Sequence, residues 1–316
     1  MIDGVRKFIL SGIALVAAGF LILGIWTAWL HLADPMTQLH REYGDVSAVT
    51  DSMYTVQFPS ENRIYRDITL ESSGMPIRIT VSSPETSSGR LPVLIILGGL
   101  EIGRASLRYI EEPGNNILIS YEYPYSPEYW YENPGITELS DIRQAVLEIP
   151  AQVSTLIQWT SSQSWADASR MSVLGYSFGA LFLPSSLRYT QESGLTIPYS
   201  VLAYGGADIY SLLYANMKKV PEPARSMGAW ILSSVIYPVE PAEHIPHLAG
   251  SFFVINGTQD DKIPESSWRQ LQQHLPEPKT IHNINRAHMH PNKPELTRYL
   301  VQQSREWLLD KGAINR

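Results

Sequence analysis

Between Met171 and Ala180 the chain reads Met-Ser-Val-Leu-Gly-Tyr-Ser-Phe-Gly-Ala, a short apolar run that stops at Ser177 between Gly175 and Gly179. Such a run fits a buried parallel strand. A strand that turns at once into a helix needs residues without a Cβ on either side of the turn, and both glycines meet that need. Ser177 then stands on the turn with its hydroxyl lifted clear of the sheet. The same five-residue string also arises by chance in loops. The constraint therefore holds only if the chain supplies a strand before it, a helix after it and partners for the serine.

The flanking sequence supplies the first two. Leu91–Leu97 is almost continuously apolar and ends at Gly98-Gly99-Leu100, and Asn116–Tyr121 is a second run of this kind. Tyr199–Tyr204 ends at Gly205-Gly206, Ser251–Asn256 ends at Gly257, and Lys279–Ile284 is a last short strand. Arg66–Glu71 and Pro76–Ser82 read as an antiparallel hairpin across Ser72–Met75. Helices fall between the strands. From Ser140, Ile142, Val146, Ile149, Val153 and Leu156 recur at three- and four-residue intervals, with a bend expected at Pro150. Leu181, Phe182 and Leu187 continue the helix behind Ser177, with a kink expected at Pro184. Pro264–Leu275 and a terminal helix from Pro294 to Gly312 complete the set. Alternating strands and helices predict an α/β fold, a mainly parallel sheet with helices on both faces.

Charge and composition remove several function classes. Lys plus Arg number 24 against 31 Asp plus Glu, and no basic cluster interleaves with aromatics, so a nucleic-acid partner is not expected. The chain has 0 Cys, which excludes disulfides, thiolate nucleophiles and Cys-based zinc sites. From Phe8 to Leu30 no residue is charged, and at about 1.5 Å per residue a helix of this length spans the hydrocarbon core of a bilayer. Arg6 and Lys7 precede the run, Trp26 and Trp29 lie near its far end, and no basic residue follows before Arg41. The expected topology is residues 1–7 in the cytoplasm, a single transmembrane signal-anchor helix over 8–30, and the body outside the cytoplasm, which would be the periplasm if the host is Gram-negative. A cleaved signal is the competing reading; the apolar run exceeds the usual length of about 7–15 residues and no small-x-small cleavage site follows it. Residues 31–60 read as a linker and 61–316 as the folded domain.

With these elements in place, Arg66 to Gly312 resembles the alpha/beta-hydrolase family, in strand order and in the elbow Gly175-Tyr176-Ser177-Phe178-Gly179. The family order of serine, acid, histidine implies an acid after a later strand and a histidine after the last. Gly257-Thr258-Gln259-Asp260-Asp261-Lys262-Ile263-Pro264 resembles the family's acid turn and selects Asp260, with Asp261 and Asp208 as alternatives. Arg286-Ala287-His288-Met289-His290 selects His288, with His290 in reserve. The resemblance further implies an oxyanion hole from the amides of Phe178 and Leu100, and a lid over about 209–248, where Met217, Met227, Trp230, Ile231 and Ile236 are apolar. Two features depart from the family. Gly98, followed by Glu101, stands where many members have a histidine, and Tyr121-Glu122-Tyr123-Pro124-Tyr125 replaces a common Asp-x-Arg-Gly turn. Tyr123, Tyr125 and Trp130 follow a central strand, where open sheets bind ligands, and are expected to wall the substrate. Simple packing is the alternative for them.

Chemistry accounts for the three implied residues. A serine hydroxyl is a weak nucleophile until a histidine takes its proton, and the imidazolium needs a carboxylate on its other nitrogen. The chain is thus expected to be a membrane-anchored, carboxylesterase-like serine hydrolase acting on a small-molecule or lipid-like ester, with amides and thioesters less favoured. No metal and no cofactor are required. A serine at the elbow argues against the epoxide hydrolase and dehalogenase branches. A non-catalytic hydrolase-fold scaffold and an acyltransferase with the same triad stay open, and the sequence does not set the oligomeric state.

Overall fold

A computed structural model describes residues 2–316 apart from 42, 59–60, 87, 100, 102 and 126–137. Its strands are β1 (Ser47–Gln57), β2 (Asn62–Glu71), β3 (Ile77–Pro84), β4 (Leu91–Leu97), β5 (Ile117–Glu122), β6 (Ala166–Tyr176), β7 (Tyr199–Ala203), β8 (Ser251–Gly257) and β9 (Lys279–Ile284). They form one 9-stranded sheet in the order β1-β2-β3-β5-β4-β6-β7-β8-β9. The hairpin half, β1 to β3 with its junction to β5, is antiparallel. From β5 to β9 every neighbouring pair is parallel.

The helices are α1 (Ile2–Leu32), α2 (Pro35–Leu39), α3 (Arg104–Leu107), α4 (Leu139–Ser161), α5 (Phe178–Glu192), α6 (Ile209–Asn216), α7 (Ala224–Val235), α8 (Pro241–His244), α9 (Glu265–His274) and α10 (Pro294–Asp310). The inner parallel strands are largely apolar on both faces because helices cover both, while the edge strand β9 is polar and mostly exposed, and the two faces make separate cores. One core holds Ile95, Leu97 and Val173 of the sheet against Val146, Ile149 and Val153 of α4 and Phe182 of α5. The other holds Leu94, Ile96 and Leu174 against Leu300, Trp307 and Leu308 of α10. Each fully buried aliphatic or aromatic side chain contributes roughly 1.5–3 kcal/mol. The helix from Leu139 runs on past Pro150, and α5 contains Pro184.

Residues 31–60 are more than a linker. Tyr43 is buried and its hydroxyl donates to Glu148 Oε2 at 2.7 Å, while Arg41 Nε donates to Glu148 Oε1 at 3.0 Å, so the segment is fastened to α4. Asp34 caps α2, whose Met36 and Leu39 are buried. The segment also contributes β1, an edge strand that is exposed along most of its length. The segment over 209–248, expected as a lid, folds as α6, α7, α8 and short 3-10 turns. Of its apolar residues, Met227 and Trp230 face outward, 47% and 39% exposed.

Candidate active site

Ser177 occupies the turn between β6 and α5 with φ 51°, a conformation that side chains other than glycine seldom adopt. The surrounding contacts hold it there. Its N–H donates to Ala203 O at 2.8 Å, and its carbonyl accepts from Ala180 N at 3.0 Å. A Cβ on Gly179 would stand 2.1 Å from Leu97 O, and one on Gly175 would stand 2.8 Å from Gly179 O. Both glycines are therefore required by the approach of α5 to β4 and β6.

The loops after β8 and β9 bring two side chains to this serine. Ser177 Oγ lies 2.8 Å from His288 Nε2, and His288 Nδ1 lies 2.7 Å from Asp260 Oδ2. Asp260 Oδ1 accepts from the amides of Lys262 and Ile263 at 2.7 and 2.9 Å, leaving Oδ2 for the imidazole. The Asp260 side chain is 1% exposed and that of His288 14%, so the carboxylate is screened from water while the imidazole reaches the cavity. Tyr204 abuts His288 edge-on, 5.4 Å between ring centroids, and burial holds its phenol well above the usual range. No motif marks Tyr204; its place just before Gly205-Gly206, at the end of β7, is the only signal the sequence offers.

The alternatives have other work. Asp208 caps α6, its Oδ1 accepting from Ser211 N at 3.1 Å. Asp261 is exposed. His290 lines the cavity and its Nδ1 accepts from Asn292 N at 3.1 Å. Among the described residues no group of three or more His, Cys, Asp or Glu is assembled as metal ligands.

On the oxyanion side, Phe178 is the first residue of α5, so its amide belongs to the helix's first turn, whose N–H groups point out of the N-terminus. Leu100 lies outside the described residues. Its neighbour Gly99 packs over Ser177: a Cβ there would stand 3.4 Å from Ser177 Cβ. Glu101, whose charge opposes an oxyanion, is paired with Arg108 and accepts from the Tyr109 hydroxyl.

Tyr123 departs from expectation. It is 3% exposed and packs edge-on to Phe178, 5.1 Å between centroids, so it stands behind the cavity wall rather than on it. Its hydroxyl donates to Gly98 O at 2.7 Å and so fastens the turn that leads to Leu100. Tyr125 is half-buried and does not contribute to the cavity wall, and Trp130 lies outside the described residues. The cavity over Ser177 measures about 490 Å³. The insertion gives it Ile209, Leu212, Leu213 and Ile236.

No protein-family model matches the chain, and no curated protein matches its sequence. Solved structures do. An acetyl xylan esterase from a Paenibacillus species superposes with a TM-score of 0.59 at 14% identity, covering 88% of this chain and 94% of that one. The chain has the alpha/beta-hydrolase fold. A Thermoanaerobacterium acetyl xylan esterase gives this hydrolase fold a TM-score of 0.58 at 14% identity, over 88% of this chain and 92% of that one. A cold-adapted esterase from an Arctic intertidal metagenomic library gives 0.51 at 14% identity, over 84% and 99%. At such identities the likeness is one of fold. Ser177, Asp260 and His288 follow β6, β8 and β9 of this fold.

Proposed function

We propose that this chain is a serine hydrolase that cleaves carboxylic esters through an acyl-enzyme on Ser177. The observation that carries this reading is the continuous line from Ser177 Oγ through His288 to Asp260, at 2.8 and 2.7 Å. His288 Nε2 takes the hydroxyl proton as Oγ attacks the ester carbonyl, and Asp260 holds the Nδ1 proton and stabilises the imidazolium. The amides of Phe178 and, by position, Leu100 receive the oxyanion. Collapse of the tetrahedral intermediate returns the proton from His288 to the leaving alcohol. Water, deprotonated by the same imidazole, then attacks the acyl-enzyme, and the imidazolium returns that proton to Ser177 Oγ as the Oγ–acyl bond breaks and the acid is released. The esterases among the fold neighbours accord with an ester substrate.

The second part of the proposal is that α1 anchors the enzyme in a membrane with the hydrolase domain outside the cytoplasm. Arg6–Leu32 is long and apolar enough to cross a bilayer, and Phe8, Leu15 and Leu21 are 65–81% exposed. A cleaved signal would be dispensable to the fold, whereas the last turns of α1 are part of it. Thr27 and Leu30 are buried, Gln38 Nε2 donates to Leu30 O at 3.2 Å, and the His31 ring lies 3.9 Å from that of Tyr237.

Turnover of p-nitrophenyl butyrate by the full chain tests the first part. Asp260→Asn keeps the side-chain volume and disturbs the tautomer and charge of His288, and kcat is expected to fall by about 10³–10⁴-fold, as at other serine triads. Activity within tenfold of the parent would remove Asp260 from the mechanism.

A further inference from the structure

The cavity does not end under the insertion. It turns round the carboxyl end of β6 at Ser177 and continues on the opposite face of the sheet, between Leu94, Ile96, Leu118 and Leu174 on the strands and Val301 and Leu308 of α10. Side chains alternate along a strand, so these four face away from the α4 and α5 core. The two faces are packed differently. Val93, Ile95, Leu97, Val173 and Ile119 are 0% exposed on the α4 side, whereas Leu94, Ile96, Leu118 and Leu174 keep 2–7%. The cause lies in α3. It is a single turn of 4 residues, and Arg108–Asn116 after it is irregular, so among the described residues no full-length helix lies between α3 and β5 to fill the space beside α10.

The polar groups on this rear wall are engaged by the protein. Ser106 Oγ donates to Gly103 O at 2.9 Å, and Asn116 Nδ2 donates to the carbonyls of Pro113 and Asn315 at 2.8 and 2.9 Å. Asn116 Oδ1 accepts from Asn315 N at 2.7 Å. At the outer edge Arg305 Nε donates to Glu112 O at 3.0 Å and its Nη1 lies 3.3 Å from Glu112 Oε2. A ligand with hydrogen-bonding groups would find few partners between Ser177 and that rim. Hydrocarbon would lose nothing by entering.

Resting on the esterase reading above, we infer that the rear lobe holds the acyl chain of an unbranched, medium-to-long-chain ester, with the carbonyl at Ser177 and the tail running toward Val301 and Ile110. The cavity as a whole measures about 490 Å³ and is shared between this lobe and the space under the insertion. A small acyl group such as acetyl would leave the lobe empty.

The test uses the full chain in lipid nanodiscs with p-nitrophenyl acetate, butyrate and octanoate, together with Ile110→Trp and Val301→Trp. Both residues are half-buried on the cavity wall, so the larger ring projects into the lobe. For the parent, kcat/KM is expected to rise about three- to fourfold per added methylene, the factor for transferring one into an apolar site. In either variant the octanoate-to-acetate ratio is expected to fall tenfold or more. That ratio is measured within one sample and is indifferent to the fraction folded. Octanoate no better than acetate in the parent, or ratios unchanged in both variants, overturns the acyl lobe and leaves the esterase reading standing. Failure to hydrolyse any of the three esters overturns the esterase reading, and the inference with it.

Discussion

At the scale of single residues the site is built by backbone constraint. Ser177 is held at positive φ, at a strain of order 1–3 kcal/mol, because β4 and α5 close on the glycines beside it. Tyr123 does for the turn after β4, proposed to carry an oxyanion donor, what these glycines do for the elbow, by hydrogen-bonding Gly98 O. Tyr123→Phe keeps the packing on Phe178 and frees that carbonyl. The turn then loses one bond worth about 1 kcal/mol, and kcat is expected to fall about tenfold with KM within twofold, because the oxyanion contact matters chiefly in the transition state. Equal loss in kcat and in thermal stability of the whole domain would make the bond merely structural. That Ser177, Asp260 and His288 would meet was legible in the sequence because the turns that carry them resemble the elbow, acid turn and histidine turn of one family. Tyr123 was not, since a tyrosine at a strand's end reads the same whether its ring faces a cavity or the core.

At the scale of elements, the insertion over 209–248 is tied at both ends by one carboxylate. Glu240 accepts from the amides of Asp208 and Ile209, each at 2.7 Å, and from Ala242 at 3.1 Å, which places it at the starts of α6 and α8. Close by, His244 is fully buried, donates from Nε2 to Pro238 O at 2.8 Å, and is pushed down to about 4 by burial. The unfolded chain holds this imidazole near 6.5, so between about pH 6.5 and 4 the unfolded state binds the extra proton. Stability is therefore lost as pH falls through that window, by on the order of 2–3 kcal/mol. Denaturant unfolding from pH 7.5 to 4 is expected to show a smaller acid loss in His244→Gln than in the parent. The same slope in both would assign the acid sensitivity elsewhere. Helices and buried strands were legible here because apolar periodicity marks them. β1 was not, because an edge strand exposed over most of its length carries no apolar alternation, and the rear lobe was not, because it follows from how short α3 is.

At the scale of the whole molecule, two apolar features meet, the insertion and the end of α1. α1 meets the insertion directly, with His31 Nε2 3.2 Å from Ser234 Oγ. If α1 is the anchor, the cavity roof stands next to the bilayer, a short path for an ester dissolved in lipid. The full chain is expected to stay with membranes through an alkaline carbonate wash and to keep residues 1–32 by intact mass. A mature form that begins after Leu32 would show that the segment is a cleaved leader. The sheet and the cores on its two faces fix where Ser177, Asp260 and His288 stand, and the insertion walls the cavity through which they are reached.

The central claim is that Ser177 is an activated nucleophile, and its most direct test is the intact mass of the full chain after exposure to a fluorophosphonate. The expected result is one adduct on the parent, none on Ser177→Ala, and much slower labelling of His288→Ala, which retains the hydroxyl but not its base. A well-folded parent that gains no adduct, or a Ser177→Ala variant that still gains one, would contradict the account.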